Sequence, residues 1–256
     1  MIVLISHYNN PEGLRRSLES INLNECDVLI VDDGSSRKPF QEEISRKGIE
    51  IIFNKENLGL ERSLNVGLDY ILKNSKHKYV ARLDCGDIAL NNRFQIQKKY
   101  LEEHADIHLL GSHVAFVNQK GLYLYTYKVP LEHSTIRKKM FIRNSFIHPS
   151  VMMRLDTIRK IGNYPTNFKY AEDYALFFNI VKNFKTANID EVLTICTLNK
   201  DGISASKRKP QMKSKFKVLY KNKSLSLHYI LGLSRTALLY LIPNSLNTGL
   251  KMIYYK

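Results

Sequence analysis

Three groups of carboxylates stand out by type and spacing. They are Asp32 and Asp33 in Val31-Asp32-Asp33-Gly34-Ser35, Asp84 and Asp87 in Arg82-Leu83-Asp84-Cys85-Gly86-Asp87, and Glu172 and Asp173 in Ala171-Glu172-Asp173-Tyr174. Adjacent carboxylates repel unless a donor or a cation sits between them. Hard divalent cations take oxygen ligands, one or two of them carboxylates and the rest from phosphate or water. A carboxylate facing a nucleophile removes its proton. Cation binding, recognition of a charged ligand and proton removal are therefore the chemistry these residues allow. Each group alone is equally served by a turn or a helix start.

The elements that must position them follow from periodicity. Ile2–Ile5, Val28–Asp32, Ile49–Phe53 and Tyr79–Leu83 read as short buried strands. Pro11 with Leu14, Leu18 and Ile21, and then Leu60 to Leu72, read as amphipathic helices between them. This β-α-β-α alternation predicts an α/β fold with a mostly parallel sheet flanked by helices, which binds ligands at the carboxyl ends of its strands. The first two carboxylate groups fall at such ends. Beyond residue 90 the pattern predicts a helix over 92–103, strands over 107–111 and 114–117, and an edge strand over 121–129. Helices over 134–142 and 174–183 follow, with a strand over 192–198.

Taken in order, these motifs resemble the family 2 inverting glycosyltransferases, whose GT-A fold is a Rossmann-like sheet. The resemblance covers residues 1–207 and lies in the ordered set rather than in any one motif. It implies a donor site for a nucleotide-sugar, with UDP as the nucleotide. Ser6 and Tyr8 would follow the first strand, with Tyr8 stacking on the base. Asp33 would accept a hydrogen bond from the base, with Asp32 supporting the loop. Asn54 to Leu68 resembles the family's asparagine-glycine stretch. Gly59 there would let phosphate approach a helix start, and Asn65 would line the nucleotide side. Arg82 and Asp84 would also serve the donor, and Asp84 and Asp87 would hold Mn2+ or Mg2+. Many relatives read Asp-Ala-Asp-Asp at this place, whereas Gly86 takes the third position here. Arg143 to Arg154 resembles an acceptor-side segment containing His148. Asp173 would be the general base, with Glu172 binding or orienting the acceptor. The arginine often found near residues 193–198 is absent, and Lys207 or Arg208 is the alternative diphosphate contact.

The charge is local. The chain of 256 residues carries a net +15, and residues 202–256 hold eleven Lys and Arg with no Asp or Glu, leaving the body near +4. Residues 208–256 therefore read as a basic amphipathic helical tail. Its apolar stretch from Leu225 to Ile242 contains Arg235, which is costly in hydrocarbon. The tail is expected to lie on an anionic membrane surface, with packing on the body and a true span as the other readings. The three cysteines form no CxxC pair, and the apolar run Ile2–Ile5 reads as too short for a signal-peptide core. A cytoplasmic enzyme, peripheral on the inner face of the membrane, is the expectation. It would extend a lipid-linked glycan in capsule, O-antigen or lipooligosaccharide synthesis. The alternatives are a catalytically impaired GT-A scaffold, a sugar nucleotidylyltransferase, which lacks support without a Gly-rich loop after Ile5, and a basic nucleic-acid- or membrane-binding protein. Nucleic acid is not expected as a partner, because the basic residues flank an apolar helix rather than interleaving with stacking aromatics.

Overall fold

The structure is a computed structural model and describes residues 1–199 and 207–242. The expected loop over 201–206 and the segment from residue 243 onward lie outside the described residues. Strands β1 (Ile2–His7), β2 (Asp27–Asp32), β3 (Ile49–Phe53) and β4 (Tyr79–Arg82) form a parallel block in the order β3-β2-β1-β4, with the one-turn helix α2 (Gln41–Ile44) between β2 and β3. Their apolar runs are buried on both faces, as parallel strands require. Leu4, Leu29 and Val31 point to one side, against Leu64, Leu68 and Ile71 of α3 (Leu60–Asn74). Val3, Ile5, Val28 and Ile30 point to the other, against Leu14 and Leu18 of α1 (Pro11–Glu19). Residues alternate between the two cores because successive strand side chains face opposite ways.

Past β4 the sheet becomes mixed. Strand β5 (Ile88–Ala89) and helix α4 (Arg93–Glu103) lead into β6 (Ile107–Val117), β7 (Tyr123–Tyr127) and α5 (His133–Met140). A 3₁₀ turn at His148–Ser150, β8 (Met152–Arg154), α6 (Leu155–Ile161), α7 (Glu172–Asn183) and β9 (Lys185–Thr197) complete the body. The order continues β4-β8-β6-β9-β5, with β7 on β6, and β6 runs parallel to β9 while β8 is antiparallel to both its neighbours.

Three boundaries differ from the sequence reading. The two strands expected over 107–117 are one, because the Gly111-Ser112-His113 break is absorbed as register shifts against β9. Strand β9 begins at Lys185 rather than residue 192. Its early polar residue Asn188 is buried and satisfied by the carbonyls of Pro130 at 2.6 Å and Ser145 at 3.1 Å, so no apolar period marks it. The tail is a pair of helices, α8 (Arg208–Lys221) and α9 (Leu227–Leu241), rather than a charge run followed by one helix. Among the described residues no helix is long and apolar enough to cross a membrane.

Candidate active site

The carboxyl ends of β1, β2 and β4 meet at one edge of the parallel block. There a polar cleft of about 470 Å³ is lined by Tyr8, Asn10, Arg16, Gly86, Asp87 and Asn199, among others. Tyr8 is 52% exposed, and Ser6 is half-buried in register with Val31. Asn10 caps α1 by accepting from the Gly13 amide at 3.1 Å. Asn9 accepts from the Ser36 and Arg37 amides at 2.8 and 2.9 Å, which pins the loop after β1 to the loop after β2.

Asp32 and Asp33 are both buried, and neither offers the cleft an uncommitted carboxylate. Asp32 Oδ2 lies 2.7 Å from His7 Nδ1, and its Oδ1 accepts from Ser35 N at 3.1 Å and Lys38 Nζ at 3.0 Å. His7 Nε2 accepts from the Asn10 amide at 3.2 Å, which puts the imidazole proton on Nδ1, facing Asp32. Burial opposes the Asp32 charge, but the hydrogen bonds from Ser35, His7 and Lys38 outweigh it and hold the carboxyl below its ordinary value. Asp33 accepts at Oδ1 from Leu58 N at 2.8 Å and Asn54 Nδ2 at 3.1 Å, and at Oδ2 from Gly59 N at 3.0 Å. Asp33 thereby clasps the 54–59 loop, with the Gly59 amide among its donors.

The Asn65 amide brackets the backbone of Tyr164, donating to the carbonyl at 2.8 Å and accepting from the N–H at 2.9 Å. This fastens α3 to the segment before α7.

Arg82 is fully buried and sits at the centre of the site. It donates to the Leu4 carbonyl, to Asp84 Oδ1 at 2.5 Å and to His148 Nε2 at 3.4 Å. It is a buried link between β1, Asp84 and His148. Arg93, also buried, donates to the Arg82 carbonyl at 2.8 Å and to the Pro149 carbonyl at 2.6 Å, which fixes β4 against the 3₁₀ turn. Asp84 remains partly exposed, whereas Asp87 is buried and accepts from Thr197 N at 3.0 Å. Burial, and then the Asp84 charge, push the Asp87 carboxyl up to about 7. Two carboxylates near enough for one to raise the other fit a divalent cation that draws its remaining ligands from a diphosphate and water. Among the described residues no group of three or more His, Cys, Asp or Glu gathers to cage a metal without such help. Gly86 has φ +103°, a backbone region that L side chains rarely adopt, so the missing third carboxylate follows from the turn itself.

On the far side of Arg82, His148 Nε2 lies 2.8 Å from the Tyr164 hydroxyl. Burial, with help from the Arg82 charge, pushes the His148 imidazole below its ordinary value. It is therefore neutral, accepting at Nε2. Asp173, in the first turn of α7, is partly exposed and accepts at Oδ2 from Asn144 Nδ2 at 3.0 Å. Its neighbour Glu172 is buried with Oε2 unpartnered, and burial, then the Asp173 charge, raise its carboxyl to about 8. Glu172 thus holds its proton at neutral pH, directly beside Asp173.

A profile of the family described as Glycosyl transferase family 2 matches residues 2–162. The chain belongs to this family. The glycosyltransferase is 33% identical over 201 residues to the amylovoran biosynthesis glycosyltransferase AmsE of Erwinia amylovora, covering 75% of this chain and 73% of that protein. It is 31% identical over 210 residues to the UDP-Gal:alpha-D-GlcNAc-diphosphoundecaprenol beta-1,3-galactosyltransferase of Escherichia coli, covering 78% and 74%. Its fold is that of GT-A transferases. Staphylococcus aureus TarS 1–349 in complex with UDP-GlcNAc superposes with a TM-score of 0.68 at 18% identity, covering 91% of this chain and 71% of that one. The mannosyltransferase PcManGT of Pyrobaculum calidifontis, in complex with GDP-Man and Mn2+, gives 0.65 at 14% identity, covering 100% and 80%.

In this glycosyltransferase the structure brings Tyr8 and Asp87 to one cleft and joins Asp84 to His148 through Arg82. Four residues gain a place that sequence reading did not assign: His7, Arg16, Asn144 and Tyr164. Their roles depend on partners distant in the chain. Arg208, one alternative for the diphosphate, is instead buried in the tail, where it donates to the Leu239 carbonyl at 2.7 Å. The cation that lines the cleft is Arg16, whose Nη2 lies 3.9 Å from where a Cβ on Gly86 would stand.

Proposed function

We propose that the enzyme transfers a sugar, with inversion, from a UDP-sugar to a hydroxyl of a lipid-linked glycan during surface-polysaccharide assembly. The observation that carries the reading is the Asn144–Asp173 pair, together with the buried Arg82–His148–Tyr164 link that reaches Asp84. Relatives that act in amylovoran biosynthesis and on a diphosphoundecaprenol acceptor, and a similar fold holding UDP-GlcNAc, support the donor and acceptor classes.

Asp173 accepts the proton of the acceptor hydroxyl as its oxygen attacks the anomeric carbon. The bond from that carbon to the diphosphate breaks, and the diphosphate leaves with the electron pair. Asn144 orients the base, and protonated Glu172 keeps the pair from carrying two charges. Tyr8 stacks on the base at the mouth of the cleft, and Arg16 takes charge developing on the diphosphate. Mn2+ or Mg2+ held by Asp84 and Asp87 would supply further positive charge at the same place. Residues 1–207 carry this chemistry and residues 208–256 serve attachment, on the inner face of the cytoplasmic membrane.

The deciding test is transfer from UDP-sugars to a lipid-linked acceptor, together with calorimetric binding of UDP with and without Mn2+. UDP binding with transfer supports the reading. Failure to bind any nucleotide overturns it in favour of the scaffold alternative that Gly86 raises.

A further inference from the structure

Residues 207–242 build a surface that sugar transfer does not use. Helix α9 is sorted into two faces. Gly232 and Thr236 are buried, and a Cβ on Gly232 would lie 2.0 Å from the Phe141 carbonyl oxygen, so this face presses directly on the backbone after α5. Tyr229 meets Phe141 edge-on with centroids 6.0 Å apart. Arg235 turns toward the Ile142 carbonyl at 3.3 Å, which removes the one cation of α9 from its outer face.

The outer face carries Leu227, Ile230, Leu231, Leu238 and Leu241, which are between 48% and 76% exposed. Ser234 and Ala237, also exposed, complete a single stripe at helical spacing. Arg208, at the start of α8, donates to Leu239 near the end of α9, so the two helices run as an antiparallel hairpin. The exposed side of α8 is a row of lysines: Lys209, Lys213, Lys217 and Lys221, with Tyr220 at 67% exposure among them. Between the helices lies a groove of about 350 Å³, lined by Phe216, Tyr220, Leu233 and the stems of Lys217 and Lys221.

An aliphatic stripe beside a lysine row, with no acidic residue after Asp201, matches the two layers of an anionic bilayer surface. Pairing with a second copy about a two-fold axis would set lysine rows near each other with no carboxylate on the hairpin to offset them. We propose that the outer face of the α8–α9 hairpin is a docking surface for an anionic phospholipid bilayer. The Leu227–Leu241 stripe lies at the acyl boundary, the lysines meet headgroup phosphates, and the groove admits an acyl chain. This deepens the lipid-linked reading of the acceptor and rests on it for its purpose. The docking itself needs neither donor nor acceptor.

Flotation of the full chain with vesicles of phosphatidylglycerol and phosphatidylcholine, against phosphatidylcholine alone, tests it. The expected result is at least tenfold stronger partition to the anionic vesicles, reduced by salt. Combined Ile230→Asp and Leu238→Asp, and separately Lys213→Gln with Lys217→Gln and Lys221→Gln, each abolish most of it while the thermal melt stays that of the parent. A chain ending at Ile242 floats like the full chain. The proposal is overturned by equal partition to neutral vesicles, by variants that float normally, or by loss of flotation on removing residues 243–256 alone. It is also overturned if sedimentation shows a lipid-free dimer that the aspartate variant dissolves. Because no substrate is present, failure of sugar transfer leaves this result standing, and lost flotation with intact transfer to a soluble acceptor sinks the docking alone.

Discussion

The side-chain amide of Asn144 donates to Oδ2 of Asp173 at 3.0 Å, joining the loop after α5 to the first turn of α7. This contact leaves the other carboxylate oxygen of Asp173 available to an incoming hydroxyl. Replacing Asp173 with Asn removes the base without changing its size. Transfer should fall by about 10²- to 10⁴-fold with UDP affinity near that of the parent. Asn144→Ala, which releases the carboxylate and also the Phe146 amide held by Asn144 Oδ1 at 3.2 Å, should cost about tenfold in kcat. Loss of UDP binding in a folded Asp173→Asn protein would remove Asp173 from the base role.

Glu172 gives a pH signature of the opposite sign to an ordinary paired carboxylate. Its carboxyl is raised from 4.5 to about 8, burial being the larger cause and Asp173 the next. Over that window the folded chain holds a proton that the unfolded chain has released. The stability from this group is whole below the lower value and is lost as pH rises through the upper one. Glu172→Gln, which cannot ionise, should gain on the parent by several degrees in Tm between about pH 5 and about pH 8. Thermal melts across that range measure it, and a constant difference would show that Glu172 is charged in the folded state.

Gly34 is fixed by two independent constraints. Its φ is +70°, and a Cβ there would lie 2.4 Å from the Glu56 carbonyl carbon, a backbone atom that has no rotamer by which to escape. Gly34→Ala should destabilise the fold by about 1–3 kcal/mol and displace the 54–59 loop that Asp33 clasps. Denaturant unfolding reads the first effect and nucleotide binding the second. A variant as stable as the parent would mean that the loop shifts freely.

Arg16 lies in the cleft beside Gly86 and Asp87. Arg16→Gln should weaken UDP binding by about tenfold, as loss of one charge-assisted contact does, and leave uridine binding unchanged. Calorimetry with the two ligands separates a diphosphate contact from a general loss of the pocket. Equal weakening of both would place Arg16 on the nucleoside instead.

Much of the architecture was legible along the chain because its first half is locally consistent. The runs Ile2–Ile5 and Val28–Asp32 carry the continuous apolar signature of buried parallel strands, and Pro11 and Gly59 mark helix starts that the structure keeps. The second half was less legible. Strands β5 and β8 are two and three residues long, too short to show a period. The polar start of β9 is satisfied by hydrogen bonds that sequence does not display.

The same division runs through the site. Sequence by itself determined which carboxylates exist, that they fall at strand ends and at a helix start, and that positive charge collects after Asp201, because these are properties of residue type and local spacing. Tertiary structure alone decided which carboxylates stay available. Asp32 and Asp33 are consumed by His7, Lys38 and the 54–59 loop, Asp84 is tied to a buried arginine, and Asp173 is left partly open beside a protonated Glu172. The physical reason is that a carboxylate's charge and reach are set by burial and by donors many residues away, and neither quantity is written in the neighbouring sequence.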